Sequence, residues 1–166
     1  MTRHTVYISV GSNMGDALAN CRFGIAETAA HPDVLLTATS FFYRTAPVDF
    51  TEQDWFVNAA FRIETALEAH DLLALTRAVQ ASAGQGPKAQ RFGPRILDLD
   101  LIFFDDLILK RSELELPHPR MHKRRFVLQP ICDIDPLLVH PVLGRSVQDL
   151  LTRLEDDAQE VARIDA

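Results

Sequence analysis

The chain has 166 residues, a net charge of −6, an apolar fraction of 47% and a charged fraction of 24%. This composition excludes wholesale disorder and a fibrous protein, and the acidic balance argues against nucleic-acid binding through a general basic surface. No apolar run approaches the ~20 residues that cross a bilayer, and the polar start is not a secretory leader, so we expect a cytoplasmic protein.

The first predicted elements alternate between strands and helices. Alternating apolar residues predict a strand over residues 6–10, and Asp16 is placed to cap the helix that follows. Residues 34–43 are rich in Thr, Leu and Phe, which favours a second strand. Side chains of opposite character alternate over residues 56–64 and predict a third strand. Apolar residues at helical spacing then predict a helix over residues 71–82.

The second half of the chain adds one strong strand and several weaker elements. Residues 96–104 are strongly apolar and predict a strand, whereas residues 107–109 predict only a short one. Short helices are predicted over residues 126–132 and 147–154. Pro130 fits the first of these helices only if it lies in the first turn.

The order of these elements indicates the fold class. Two consecutive strand–helix–strand units are typical of the ferredoxin-like split βαβ plan. We therefore predict a single α/β (α+β) domain over residues 1–166. Its sheet should be mainly antiparallel, with the helices packed on one face.

Asp98 and Asp100 are the most informative residues of the predicted strand 96–104. In a strand they project from the same face, with Cα atoms ~6.6 Å apart. Two ionised carboxylates this close repel each other unless a cation lies between them. Mg²⁺ removes the conflict, because it is usually held by one or two carboxylates together with substrate phosphates. The spacing therefore favours a metal–phosphate site.

The acid pair also allows two different interpretations. The carboxylates could be solvated on an exposed sheet face, although Ile102 and Phe104 continue that face and Arg91 and Arg95 precede it. A glycosidase acid pair would not need arginines, because cations lower the pKa of the acid that must stay protonated. The opposite face of the strand is wholly apolar and should pack against helices: Leu97, Leu99, Leu101 and Phe103.

Basic residues cluster on both sides of the acidic strand. The segment 84–95 combines glycines and prolines with three cations, and it lacks the spacing of a P-loop. It could close over a polyphosphate, or it could be an ordinary surface loop. The segment 117–125 contains His118 and Arg124, whose side chains can donate to phosphate oxygens. Charge alone does not separate phosphate ligands from solvated cations in either segment.

Phe56 and Asn58 share one face of the predicted strand 56–64. A flat heterocycle could stack on Phe56 while the Asn58 amide meets a donor–acceptor edge. A core phenylalanine beside a satisfied amide would produce the same pattern, and the sequence leaves both interpretations open.

Several of these segments, taken in order, resemble the 6-hydroxymethyl-7,8-dihydropterin pyrophosphokinase family. The most specific string is FGPRILDLD at residues 92–100. The other matching strings are YISVGSN at 7–13, YRTAP at 43–47, FVNAA at 56–60, PH at 117–118 and RRFVL at 124–128. The resemblance covers nearly the whole chain.

The resemblance implies a reaction of folate biosynthesis in which a monomeric enzyme transfers pyrophosphate from ATP to the hydroxymethyl group of 6-hydroxymethyl-7,8-dihydropterin and releases AMP. It implies that Asp98 and Asp100 bind two Mg²⁺ ions bridging the triphosphate, and that Arg95 acts with them in catalysis. The ATP-binding residues that it implies are Lys88, Arg91, Arg95, His118 and Arg124.

The resemblance also implies a pterin site. Asn58 and the backbone near Thr45 and Val48 would read the edge of the pterin. The rings of Phe56 and Phe126 would sandwich it. Aromatic faces and an amide are the groups that such a flat, polar-edged heterocycle needs.

Three positions depart from the pattern of the resembled family. Gln80 stands where the family usually carries Glu, and Gln85 and Pro87 stand where it usually carries Arg. Loss of two cations should weaken transition-state stabilisation or slow closure of the loop. We therefore expect an active protein that is tuned differently from its relatives.

Two rival functions follow from these observations. One is a non-catalytic or weakly active paralogue that binds pterin or nucleotide through a degenerate loop; it would bind ligand without forming AMP. The other is an RNA-binding module of the same split βαβ plan, which the paired acids Asp98 and Asp100 disfavour, because they would repel a phosphate backbone.

Overall fold

The computed structural model describes residues 3–46, 54–83, 96–154 and 160–165. Within these residues the central element is an antiparallel sheet of six strands. These strands are β1 (His4–Ser12), β2 (Val34–Thr39), β3 (Tyr43–Thr45), β4 (Phe56–Thr65), β5 (Asp98–Phe104) and β8 (Val161–Arg163). A separate two-stranded hairpin consists of β6 (Leu109–Lys110) and β7 (Glu115–Leu116). The helices are α1 (Ala17–Ala29), α2 (Ala69–Ala83), α3 (Arg125–Ile134) and α4 (Val147–Thr152), with a 3₁₀ turn over Met121–Lys123.

The strand order confirms the predicted fold. The sheet runs β5-β1-β4-β3-β8, and β2 pairs with the same edge of β4 as β3 does. In the unit β1-α1-β2 the two strands are separated by β4, and in the unit β4-α2-β5 they are separated by β1. This interleaving of two units, with antiparallel neighbours throughout, is the ferredoxin-like split βαβ arrangement.

The prediction of one strand over residues 34–43 is wrong, because the segment forms two strands. Thr39, the last residue of β2, lies opposite Phe61, and Tyr43, the first residue of β3, lies opposite Asn58. The chain therefore advances four residues while β4 advances only three. The surplus residue interrupts the ladder. At the break the Ser40 hydroxyl accepts a hydrogen bond from the Ala60 N–H at 2.8 Å, so this buried donor of β4 keeps a partner.

Helices cover both faces of the sheet, so the prediction of helices on one face is wrong for α3 and α4. Alternate residues of β1, β4 and β5 are buried on each side, and each buried face needs a cover. The face under α1 and α2 has a core that includes Val6, Ile8, Val10, Phe61, Leu72 and Leu99. The face under α3 and α4 has a core that includes Tyr7, Phe103, Met121, Leu128, Ile131 and Val147.

A β-bulge in β5 changes the alternation predicted for this strand. Tyr7 lies opposite Phe103 and the next residue of β1, Ile8, lies opposite Leu101, so Ile102 is an extra residue. As a result Phe103 lies on the α3 face and Phe104 on the α1–α2 face, the reverse of the prediction. The bulge adds a residue that strict period-two reading does not anticipate.

The elements near the end of the chain depart most from the prediction. Helix α3 is longer than predicted, and Pro130 is its sixth residue instead of lying in the first turn. Pro130 is buried with Val127, Leu128 and Ile131, and this packing offsets the hydrogen bond that proline cannot donate. The predicted strand 107–109 is β6, shifted by two residues, and the predicted helix 147–154 ends at Thr152.

The start of α1 was predicted through its capping residue. The Asp16 carboxylate accepts a hydrogen bond from the Ala19 N–H at 3.1 Å and caps α1, as predicted. The strands β7 and β8 were not predicted, because two or three residues show no periodicity. None of the helices in the described ranges has the length and apolar character needed to span a membrane.

Candidate active site

One row of directly opposed residues crosses four strands of the sheet. Its members, in order across β3, β4, β1 and β5, are Tyr43, Asn58, Gly11 and Asp98. Directly opposed residues in antiparallel strands share a face, so Asp98 and Asn58 lie on the same side with Cα atoms ~10 Å apart, two strand spacings. The next row places Ala60, Ser9 and Asp100 together in the same way.

Asp98 and Asp100 therefore lie on one face of an outer strand, as predicted. Asp98 is half-buried and Asp100 is exposed. Two carboxylates that reach solvent beside the outer edge of a sheet are the donor set with which a hard cation binds while it keeps waters and phosphate oxygens as its other ligands. Among the described residues, no group of three or more metal-ligating side chains forms a complete metal cage.

The outer edge of β5 is held between the two acids by Gln80. Its side-chain oxygen Oε1 accepts a hydrogen bond from the Leu99 N–H at 2.6 Å. Gln80 belongs to α2, which packs on the opposite face, so the side chain reaches around the sheet edge. In the sequence Gln80 stands out only as a departure from the family, and this contact was not predicted.

His118 is anchored beside the same strand. Its N–H donates to the Ile102 carbonyl at 3.0 Å, and its ring nitrogen Nδ1 accepts from the Arg120 N–H at 3.1 Å. Burial, followed by the nearby charges of Arg124 and Arg120, lowers the pKa of His118 to about 4. At neutral pH the ring is therefore uncharged, and with Nδ1 accepting, the proton is assigned to Nε2. His118 can donate one hydrogen bond without adding charge.

Arg124 and Phe126 lie at the start of α3. Arg124 is the residue before the first turn, and its guanidinium carbon lies 5.6 Å from the centroid of the Phe126 ring. Both side chains are half-buried. Because α3 packs on β4 and β3, the fold brings these two residues to the face that carries Asn58.

Asn58 lies at the centre of the predicted heterocycle site. Its side chain is buried, and its Nδ2 donates to the Thr45 hydroxyl at 2.6 Å. Phe56 is half-buried and lies directly opposite Thr45. The structure thus brings Thr45, Phe56 and Asn58 together on one patch of the sheet.

Two tyrosines, neither of which was predicted as a site residue, fix α3 over this face. The Tyr43 hydroxyl donates to Asp133 at 2.6 Å, and the Tyr7 hydroxyl donates to Asp135 at 3.2 Å. Burial and the Asp133 carboxylate raise the pKa of Tyr43, so it stays a donor. An alternating Tyr in a strand looks like any core residue, and only the tertiary contact distinguishes it.

Several predicted site residues lie outside the described residues. These are Val48, Lys88, Arg91 and Arg95, together with the departing positions Gln85 and Pro87. Their assignments remain predictions from sequence.

Known proteins resemble this chain in sequence and fold. The sequence model of a family described as 7,8-dihydro-6-hydroxymethylpterin-pyrophosphokinase (HPPK) matches residues 7–136. The chain is 37% identical over 160 residues to the 2-amino-4-hydroxy-6-hydroxymethyldihydropteridine pyrophosphokinase of Methylorubrum extorquens, covering 96% of this chain and 98% of the relative.

Longer proteins also contain a similar region. The chain is 38% identical over 138 residues to the folic acid synthesis protein FOL1 of Dictyostelium discoideum, covering 83% of this chain and 20% of that protein. A crystal structure of Plasmodium falciparum HPPK-DHPS matches with a TM-score of 0.73 at 13% identity, covering 92% of this chain and 43% of the other. The chain therefore spans about a fifth of the first protein and less than half of the second.

Proposed function

Because this chain belongs to the 7,8-dihydro-6-hydroxymethylpterin pyrophosphokinase family, we propose that it transfers pyrophosphate from ATP to the hydroxymethyl group of 6-hydroxymethyl-7,8-dihydropterin, releasing AMP, in folate biosynthesis. The observation that carries this proposal is the shared row of Asn58 and Asp98. It supports an acceptor site and a metal–phosphate site on one face, ~10 Å apart, a distance that a heterocycle with a short side arm can bridge.

On the phosphate side, Asp98 and Asp100 would hold two Mg²⁺ ions together with the triphosphate of ATP. When bound, Mg²⁺ supplies neutralisation of the charge that develops on the transferring group. Arg124 would contact phosphate as a cation and His118 as an uncharged donor. Lys88, Arg91 and Arg95 are proposed as further phosphate ligands, Arg95 being nearest in sequence to the acids.

On the acceptor side, Asn58 would read the polar edge of the pterin, together with the backbone near Thr45 and Val48. The rings of Phe56 and Phe126 would stack on its two faces. Stacking and edge recognition orient the hydroxymethyl oxygen toward the phosphates, and orientation is the main contribution a protein makes to phosphoryl transfer.

We also propose that the protein acts as a monomer in the cytoplasm. The site residues proposed above all come from one chain, so the proposed reaction needs no residue from a second copy. Sedimentation of the purified protein at working concentration, with and without nucleotide, tests the monomer.

The test of the activity is direct. Purified protein is incubated with ATP, MgCl₂ and 6-hydroxymethyl-7,8-dihydropterin, and AMP and the pterin diphosphate are measured by chromatography. AMP should form in proportion to pterin product, and omission of pterin or addition of EDTA should stop it. Binding of pterin and an ATP analogue without AMP formation would instead support the non-catalytic paralogue.

A further inference from the structure

We propose that Gly11 is a positioning residue that sets the orientation of the Asn58 amide and thereby the specificity for a pterin edge. This inference rests on the proposed function, since it assigns a role to Gly11 at the same site. The resemblance to the family includes Gly11 in the matching string YISVGSN but implies no role for it.

The first observation is a close approach between Gly11 and Asn58. The two residues lie directly opposite each other in β1 and β4, and both are buried. A Cβ atom on Gly11 would lie 2.5 Å from Asn58 Oδ1 and 3.6 Å from Asn58 Cγ. A carbon and an oxygen do not approach this closely without a bond. The amide oxygen of Asn58 therefore occupies the space that any other residue at position 11 would fill.

The second observation fixes the other end of the amide. Asn58 Nδ2 donates to the Thr45 hydroxyl at 2.6 Å, on the strand that flanks β4 on its other side. The amide thus lies across β4, with its oxygen over β1 and its nitrogen toward β3. With its nitrogen bonded to Thr45 and its oxygen in the space beside Gly11, the amide presents its donor and its acceptor in one orientation.

The third observation excludes a backbone reason for the glycine. Positive φ angles occur at Gly15 and Gly144 among the described glycines, and Gly11 is an ordinary strand residue. Glycine inside a strand is normally unfavourable compared with alanine. Alanine at position 11 should therefore suit the backbone and disturb only the amide.

A specificity consequence follows. The pyrimidine ring of a pterin carries amino and ring N–H donors beside a carbonyl acceptor. A rotated Asn58 amide would therefore place its donor against the pterin donors and its acceptor against the pterin acceptor. Gly11→Ala should weaken binding of a pterin and leave nucleotide binding unchanged. A residue with a merely structural role would not separate these two affinities.

The experiment is calorimetric titration of the full chain with 6-hydroxymethylpterin and, separately, with a non-hydrolysable ATP analogue and Mg²⁺. Gly11→Ala should weaken pterin binding about 10-fold or more, the range expected when a buried hydrogen-bonding group loses its partner. Nucleotide affinity should stay at the wild-type value, and Tm should fall by a few degrees at most, roughly the cost of one disturbed buried hydrogen bond. Gly24→Ala is the matched control: its Cβ would meet the side chain of Leu97 at 3.0 Å on the opposite face, so pterin affinity should not change.

A double variant tests whether Gly11 acts through Asn58. In an Asn58→Ala background the clash is absent, so adding Gly11→Ala should change pterin affinity by less than about 2-fold. If Gly11→Ala alone fails to fold, the double variant should fold, because the group that it would strike has been removed. Wild-type pterin affinity in Gly11→Ala, or an equal loss in both backgrounds, would overturn the inference.

Failure of the proposed function has a different signature. If the wild-type protein binds no pterin, the substrate assignment is wrong, and the role of Gly11 is then decided by NMR. The Asn58 Nδ2 resonances should shift in Gly11→Ala and stay in place in Gly24→Ala; unchanged resonances in Gly11→Ala would overturn the inference.

Discussion

The two faces of the sheet are made from the same strands, yet they differ in chemistry. On the face covered by α1 and α2, the middle of β1, β4 and β5 is apolar, and polar residues such as Ser12 and Thr65 lie only at strand ends. On the other face, α3 and α4 pack over an apolar half, and the remaining half carries Asp98, Asp100 and Asn58. Every second residue of a strand can thus be given to function while its neighbours keep the fold.

This comparison separates two kinds of mutational effect. Substitutions on the polar half should change chemistry and spare stability, and substitutions under α1 and α2 should do the reverse. The expected effects below test that separation, beginning with the largest.

Removal of either acid should have the largest effect. Asp98→Ala and Asp100→Ala should each lower kcat by about 10³-fold or more. Each substitution removes a proposed ligand of the Mg²⁺ that would neutralise the charge developing on the transferring group. AMP release at saturating Mg²⁺ is the measurement, and Tm should stay close to the wild-type value. Asp106→Ala, in the exposed turn after β5, is the control and should retain activity. Retained turnover in either acid variant would contradict the assigned roles.

A core substitution on the other face should have the opposite profile. Leu72 of α2 is fully buried, and Leu72→Ala should lower the free energy of unfolding by about 3 kcal/mol, through lost burial and a cavity. Urea denaturation measures this loss, while kcat below the transition should remain unchanged. Leu137→Ala, at a site 74% exposed, should cost less than about 0.5 kcal/mol. A large fall in kcat for Leu72→Ala would show that the faces are not separable.

His118 should make stability depend on pH on the polar face. Its pKa is lowered to about 4, chiefly by burial, so the unfolded chain binds a proton below about pH 6.5 that the folded chain resists. Stability should be full above pH 6.5 and fall by about 1 kcal/mol on acidification to about pH 5, with partial solvent access limiting the effect. His118→Gln should reduce this slope in urea titrations at several pH values, and His140, whose pKa burial also lowers, should leave a remainder of the same sign.

His4 provides a control of opposite sign. The hydrogen bond that His4 donates to the Asp105 carboxylate raises the pKa of His4, so its contribution is full below about pH 6.5 and is lost as pH rises through the raised value. His4→Gln should therefore remove stability at low pH and leave the His118 slope in place. An unchanged acid slope in His118→Gln would show that another group is responsible.

The smallest effect tests the link between the faces. Gln80 belongs to the α2 side but holds the Leu99 N–H beside the acids. Gln80→Leu should lower the free energy of unfolding by about 1 kcal/mol and weaken binding of Mg²⁺ with an ATP analogue a few-fold. Gln80→Glu keeps an acceptor oxygen and should keep the stability. Equal losses in both variants would mean that the hydrogen bond is not what matters.

Sequence patterns predicted the elements with strong periodicity and missed those defined by tertiary contacts. The alternation around Phe61 and the spacing of residues in α2 were sufficient to place β4 and α2. The break at Ser40 depends on counting residues against β4, a partner distant in sequence. The strand β8 forms by pairing with the edge of β3, and its three residues are too few to show a periodic pattern in the sequence.

The candidate site divides in the same way. The spacing of Asp98 and Asp100 alone predicted that they share a face, because period two is local. That Asn58 lies in the same row as Asp98 depends on the register of three strands, which no local pattern in the sequence gives. Gln80, Tyr43 and Gly11 are ordinary residue types, and nothing in the sequence predicts the contacts that they make.

The extra residue in β5 has a consequence for how this protein tolerates changes in length. Leu101 and Phe103 pair with consecutive residues of β1, so the ladder would close equally well without Ile102. Ile102 contributes a buried side chain to the core under α3 and a carbonyl that accepts the hydrogen bond from the His118 N–H. A descendant that deleted this codon would keep the strand pairing, but it would lose one buried side chain under α3 and release the histidine segment from the acids. A relative with a deletion at position 102 would therefore keep the fold while losing the arrangement of the site.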